Sequence, residues 1–355
     1  MFSLENITRK NIASLKAYSS ARSENLEDGM VFLDANEFSD DENNYYSYPE
    51  PQPAELLKVA SNIYKTKPEN MIVARGADEI IDCLFKCFTD PEKDKVLINA
   101  PTYGMYEVSA NIFGVEVLKV PLTKESFGLD LERLNEINSG KNRVKIVFIC
   151  NPNNPTGSAV PSFQIEKVAQ IFAESIVVVD EAYIDFSEQG SAVDLISNYP
   201  NIVVLKTLSK SFGLAGLRVG FAIASLDIIS TLKKVVAPYP VPKLCADKAV
   251  EVLKDLNLLN RKIVKLKERR QKIVELLSNL RLVRKIYPSQ ANFILVEFSN
   301  PQGVMRVLKK KGIIVRDRSS EVEGTLRISI GTDTEMKMLF AALDQLESEI
   351  YGGVQ

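Results

Sequence analysis

Between Asn151 and Arg218 the chain places an Asn-Pro loop, a carboxylate, a lysine and an arginine. The loop, Asn151-Pro152-Asn153-Asn154-Pro155-Thr156-Gly157, follows the apolar run Ile146 to Cys150. The carboxylate is Asp180, which closes Ile176-Val177-Val178-Val179 and precedes Glu181-Ala182-Tyr183. The lysine is Lys210, in Thr207-Leu208-Ser209-Lys210 after Ile202-Val203-Val204-Leu205, and the arginine is Arg218. A lysine amine condenses with an aldehyde to an imine, and an aspartate can hold a protonated ring nitrogen and so strengthen the ring as an electron sink. Asn154 and Tyr183 could hydrogen-bond a phenolic oxygen. Ser209 and Arg218 suit a phosphate, because the guanidinium fork matches phosphate oxygens. Together these groups are what a pyridoxal-phosphate site needs.

Such groups must be brought together by the elements that carry them. Continuous β-branched runs with polar residues only at their C-terminal ends indicate strands buried on both faces of a largely parallel sheet. Open sheets of this kind bind ligands at the carboxyl ends of their strands, so residues distant in sequence can meet in one crevice. Alternating strand and helix patterns predict an α/β domain from about Met30 to about Val241, with a mixed, mostly parallel sheet between helices. A long amphipathic helix is expected from about Leu244 toward Leu280, its stripe including Val252, Leu256, Leu259, Ile263, Leu266, Ile273 and Leu277. Strands at Asn292 to Val296, Ile313 to Val315 and Leu326 to Ile330, with helices from Gly303 to Lys311 and Glu335 to Ile350, complete a smaller α+β domain. The expected division is an N-terminal arm over 1–29, a large domain over 30–243 and a small domain over 244–355.

Composition removes several chemistries. The chain of 355 residues has no histidine, which excludes a Ser-His-Asp triad, a Cys-His pair or a His-ligated metal within it. Its four cysteines, Cys83, Cys87, Cys150 and Cys245, give only a weak metal or redox signal; Cys83 and Cys87, one helical turn apart, read as small buried thiols, and no metal is expected. A formal net charge of −2 gives no footprint for nucleic acid. No apolar stretch approaches the roughly 20 residues needed to span a bilayer, and no signal peptide is seen, so the expectation is a cytoplasmic protein.

Individual residues carry two readings. Arg75-Gly76-Ala77-Asp78 could be an ordinary helix start with Asp78 as a cap, or a helix N-terminus whose free N–H groups at Gly76, Ala77 and Asp78 cradle a phosphate. Tyr103, after Pro101-Thr102, could pack under a helix or stack on a ring. Asp180 ends a run of valines where a lone carboxylate is expensive, so it needs a cation, which a structural arginine or a pyridinium nitrogen would supply. Tyr48, in a Pro-rich loop, could be an ordinary packing tyrosine.

Further motifs run almost end to end: Lys16-Ala17-Tyr18-Ser19-Ser20-Ala21-Arg22, Leu33-Asp34-Ala35-Asn36-Glu37, Tyr48-Pro49-Glu50-Pro51-Gln52-Pro53 and Pro101-Thr102-Tyr103-Gly104-Met105-Tyr106. Ser211-Phe212-Gly213-Leu214-Ala215-Gly216-Leu217-Arg218, Gly312-Ile313-Ile314-Val315-Arg316-Asp317 and Leu326-Arg327-Ile328-Ser329-Ile330-Gly331-Thr332 extend the set. In these the chain resembles the fold-type I pyridoxal-phosphate aminotransferases, and within their class II subgroup the histidinol-phosphate aminotransferase family. The resemblance implies pyridoxal 5'-phosphate as cofactor, with Lys210, Asp180 and Tyr183 in catalysis. Gly76, Ala77, Asp78, Tyr103, Asn154, Thr207, Ser209 and Arg218 would complete the cofactor site, with Tyr48 contributed by the partner subunit of a homodimer with shared active sites. It further implies Tyr18, Asn36, Tyr239, Arg316 and Arg327 as substrate-binding residues, and an arm that packs with the small domain and the pocket. The substrates would be L-histidinol phosphate and glutamate or 2-oxoglutarate, in histidine biosynthesis. For Arg316 a surface ion pair with Asp317 or a neighbour is the alternative. The stretch Arg318-Ser319-Ser320-Glu321-Val322-Glu323-Gly324 departs from the family pattern and leaves the pocket shape open. An aromatic or broad-specificity aminotransferase and a threonine-phosphate decarboxylase share much of this scaffold and stand as alternatives.

Overall fold

The computed structural model describes residues 2–16, 31–40, 42, 45–140 and 143–351. Seven strands form one sheet: β1 (Met71–Ala74), β2 (Lys95–Ala100), β3 (Glu116–Pro121), β4 (Val144–Cys150), β5 (Ile176–Asp180), β6 (Ile202–Thr207) and β7 (Gly220–Ile223). Their spatial order is β1-β7-β6-β5-β4-β2-β3. Only β7 runs against its neighbours, β1 and β6; the pairs among β2 to β6 are parallel. Period-2 alternation explains why the apolar runs are continuous. Val177 and Val179 enter one core with Val147, Ile149 and Val204, while Ile176 and Val178 enter another with Phe148, Val203 and Leu205. Both faces are therefore covered, as the uninterrupted valines required.

The second core holds the helix Ala77–Phe88, through Ile80, Ile81, Leu84, Phe85 and Phe88. It also receives the described part of the N-terminal arm. Ile7 and Ile12 are buried in that core, Arg9 pairs with Asp90 at 3.1 Å, and Lys145 Nζ donates to the carbonyls of Asn6 and Ile7. Two short amphipathic turns, Leu4–Ile7 and Lys10–Ala13, bury one isoleucine each on the nearest apolar surface.

A second, wholly antiparallel sheet has the order β10-β11-β9-β8, from β8 (Val283–Tyr287), β9 (Phe293–Phe298), β10 (Arg316–Asp317) and β11 (Thr325–Ser329). The helices Pro301–Lys310 and Asp333–Tyr351 pack on it with Ile273 and Leu277. The expected single connecting helix is two, Lys243–Leu253 and Leu256–Ser278. Asp255 interrupts it because its carboxylate accepts from Leu258 N–H at 3.0 Å, offering a fresh N-cap in place of helix continuation. The strand expected at Ile313 to Val315 begins instead at Arg316. Gly312 leaves the helix at φ +76° and Ile313 N–H caps Leu308, so those residues belong to a helix end. Strand β8 had no clean alternation to announce it.

Candidate active site

Strands β4, β5 and β6 end side by side, with Cys150 in register with Asp180. The loops that follow enclose a cavity of about 190 Å³. Ala77, Asp78, Tyr103, Asn154, Asp180, Tyr183, Thr207, Ser209, Lys210 and Arg218 line it, together with Cys150 and Ala182. The Asn-Pro loop is tied in place by Asn151, whose side chain bonds the backbone of Val160 in both directions, and by Asn153, which donates to Pro101 O and accepts from Thr102.

Asp180 is buried at the cavity floor. One carboxylate oxygen accepts Tyr106 Oη–H at 2.7 Å and the other Ala182 N–H at 3.1 Å. Among the described residues it has no ion-pair partner within 4.0 Å. Burial raises its pKa, opposed by the phenol, the backbone N–H and the charge of Lys210. A carboxylate so placed gains from a cation arriving in the cavity.

Lys210 opens to solvent through the cavity mouth although protein surrounds most of its length. Desolvation, then the charges of Arg327 and Arg218, lower its pKa against the pull of Asp180 and Asp78. Its ammonium lies 5.5 Å from the Tyr183 ring centre. A lowered pKa leaves more neutral amine for attack on a carbonyl and for proton transfer.

At the other end, the helix Ala77–Phe88 points its N-terminus into the cavity. Gly76, at φ +82°, donates its N–H to Ala74 O at 2.7 Å. The N–H groups of Ala77 and Asp78 start the helix without carbonyl partners and face the site. Gly76 supplies room: a Cβ there would meet Arg218 Nη2 at 2.7 Å. Gly220 does likewise, since its Cβ would lie 2.4 Å from Ala77 N. Arg218 reaches Ser209 Oγ and Asp78 Oδ2, each at 3.4 Å, and Asp78 also accepts from Tyr103 Oη at 3.1 Å.

Arg327 projects from β11, half-buried, and donates to Asn154 Oδ1 while its guanidinium sits 5.3 Å from the Phe293 ring centre. Its register partner across the ladder is Arg316. Cross-strand partners share a face, so two cations stand together where like charges repel and an anion would be welcome. Arg316 is exposed and has no ion pair among the described residues. Asp317, the alternative partner, is bonded by Ser319 N–H and Gln302 Nε2 instead.

The remaining expected residues lie elsewhere. Asn36 is exposed at φ +57°, Tyr48 and Tyr239 stack on one another at 4.7 Å, and none of these lines the cavity. Tyr18 lies outside the described residues. Tyr106 was not singled out from sequence, although it stands one helical turn beyond Tyr103, next to the start of helix Met105–Ile112. On the opposite face of the sheet from Asp180, Glu181 and Lys206 form a buried ion pair, with Ser191 Oγ donating to the same carboxylate at 2.6 Å.

The fold is that of the fold-type I pyridoxal-phosphate enzymes, and one cavity brings together a buried carboxylate with no ion-pair partner among the described residues, an amine of lowered pKa and a helix N-terminus beside an arginine. The chain belongs to the class I and II aminotransferase family, which it matches over residues 31–343, and that family uses pyridoxal 5'-phosphate. It is 41% identical over 352 residues to the histidinol-phosphate aminotransferase of Francisella philomiragia, covering 97% of this chain and 96% of that protein. It is 40% identical over 359 residues to a bifunctional histidine-biosynthesis protein of Photorhabdus laumondii, covering 98% of this chain but 44% of that longer protein. Among solved structures, the histidinol-phosphate aminotransferase of Clostridium acetobutylicum superposes with a TM-score of 0.79 at 25% identity, covering 86% of this chain and 92% of that one.

Proposed function

We propose that the protein transfers an amino group between L-histidinol phosphate and 2-oxoglutarate, in the biosynthesis of histidine. The observation that carries the reading is Arg327: it bonds Asn154 on the rim of the cavity that holds Lys210 and Asp180, and has a second arginine as its cross-strand partner. A paired cation of this kind suits both a phosphate monoester and a dicarboxylate, the two anions the reaction must accept in turn. The similarity to histidinol-phosphate aminotransferases over nearly the whole chain supports the same substrate.

Pyridoxal 5'-phosphate, when bound, supplies the electron sink and carries the amino group. Asp180 would pair its carboxylate with the ring nitrogen. Lys210, the amine of the cavity, would hold the cofactor's aldehyde carbon and would serve as the proton carrier at the substrate carbon. Tyr183 and Asn154 hydrogen-bond the ring oxygen, and Tyr103 packs on the ring. The N–H groups of Ala77 and Asp78, the hydroxyls of Thr207 and Ser209, and Arg218 would hold the phosphate, with Gly76 keeping the space. Arg327 and Arg316 would read the substrate anion. Under the same reading the enzyme is a cytoplasmic homodimer, and Tyr48, which lines no part of its own chain's cavity, serves the partner's site.

An absorbance titration with L-histidinol phosphate tests this. The substrate should discharge the visible band of the holoenzyme to the near-ultraviolet band of the amine form, and do so at far lower concentration than phenylalanine. Equal response to phenylalanine would contradict the substrate assignment, and carbon dioxide release from a phosphorylated amino acid without an amino acceptor would contradict the reaction.

A further inference from the structure

The group that keeps Asp180 charged is not explained by the reading above. A carboxylate 4% exposed, with no cation within 4.0 Å among the described residues, is biased toward its neutral form, and a neutral acid cannot pair with a protonated ring nitrogen. The backbone N–H of Ala182 occupies Oδ1, so the remaining donor, on Oδ2, is the hydroxyl of Tyr106 at 2.7 Å. Tyr106 is fully buried, stacked on Phe148 at 4.5 Å and met edge-on by Tyr103 at 5.5 Å. Its hydroxyl is shielded from bulk solvent, and both ring contacts hold it toward Asp180.

Taking the proposed cofactor site as its basis, we infer that Tyr106 is a positioning residue for the ring-nitrogen carboxylate, its neutral phenol holding Asp180 ionised and aimed into the cavity. Burial, then the Asp180 charge, raises the phenol's own pKa well above the usual tyrosine value, so it donates throughout the working range. The thiol and phenols that face Asp180 are likewise held in their neutral forms. The Cys150 thiol, opposite on β4, is pushed by burial up to about 12, and the Tyr103 and Tyr183 phenols are raised too. Asp78 disfavours the Asp180 charge from across the cavity and Lys210 favours it. The chain has no imidazole to serve, and the pair is therefore a fixed donor rather than a switch.

The test follows the Asp180 carboxyl by carbon-13 NMR in the full-length protein freed of cofactor, the resonance assigned with Asp180→Asn, alongside equilibrium titration with pyridoxal 5'-phosphate. Tyr106→Phe should raise the Asp180 midpoint and raise the cofactor dissociation constant on the order of 10- to 100-fold at neutral pH, as expected for a lost hydrogen bond to a charge. That penalty should grow as pH falls through the raised midpoint, because the ionised carboxylate is the form that pairs with a protonated ring nitrogen. Replacing Tyr106 by 3-fluorotyrosine, a stronger donor of nearly the same shape, should move the midpoint down. Phe148→Leu loosens the ring stack and keeps the hydroxyl, so it should lower Tm and leave the midpoint in place. An unchanged midpoint in both Tyr106 variants, or an equal shift in Phe148→Leu, overturns the inference. A wild-type protein that fails to bind the cofactor overturns the proposed function instead, while the carboxyl titration still decides the role of Tyr106.

Discussion

The two arginines on β10 and β11 should differ sharply in worth. Arg327 is half-buried, touches Phe293 and bonds Asn154, which is itself buried; Arg316 is exposed. A hydrogen bond to a charged partner in such a setting contributes about 1.5–3 kcal/mol. Arg327→Met, which keeps the apolar stem over Phe293, should therefore lower kcat/KM for L-histidinol phosphate by about 10- to 150-fold, at 1.36 kcal/mol per decade. It also leaves the Asn154 carbonyl oxygen without its donor, at an added stability cost of about 1–3 kcal/mol visible in urea unfolding. Arg316→Met removes an exposed charge worth about 0–1 kcal/mol, so the loss should be at most about 5-fold and should vanish in high salt. Steady-state kinetics of both variants with L-histidinol phosphate and with glutamate provide the comparison. If Arg316→Met lost as much as Arg327→Met, at low and high salt alike, burial would not be what ranks these two groups.

Gly76→Ala combines a residue held at φ +82° with a Cβ placed 2.7 Å from Arg218 Nη2. The backbone strain alone is about 1–2 kcal/mol, and displacement of Arg218 should weaken cofactor binding, measured by equilibrium titration; unchanged affinity would remove Arg218 from the phosphate site. Lys206→Met leaves the Glu181 carboxylate buried without its cation and should destabilise the protein by about 3–5 kcal/mol in urea unfolding, whereas pairing it with Glu181→Gln should recover most of the loss. Because the Lys210 pKa is lowered, its neutral amine should accumulate at lower pH than that of an ordinary lysine. The rate at which the cofactor-free protein takes up pyridoxal should then rise with a midpoint below 10.5, and Arg327→Met should move that midpoint upward. A midpoint at or above 10.5 would contradict the desolvated setting of the amine.

The site was legible in the sequence wherever a polar residue closed an apolar run. Asp180 and Thr207 end strands, and Asn154, Lys210 and Arg218 follow in the segments after those strands, so the strand pattern and the residue types together pointed to the cavity. What escaped was set by tertiary contact. Tyr106 looks like any aromatic on a helix until the fold brings its hydroxyl to Asp180, 74 residues away. Gly76 reads as part of a phosphate cradle, and as a spacer only once Arg218 folds over it. The pattern from Leu244 toward Leu280 keeps an apolar stripe across a break that only the Asp255 cap reveals. The short ladder at Arg316–Asp317 has too few residues to show a period, so the neighbouring apolar Ile313 to Val315 took its place.

The central claim is that the amine at position 210 holds the cofactor. Borohydride reduction of the freshly isolated holoenzyme, followed by peptide mass spectrometry with Lys210→Ala as the blank, tests it most directly. A pyridoxyl group on Lys210 in the native protein and none in the variant is the predicted result. A label on another lysine, or equal labelling of the variant, would contradict the account.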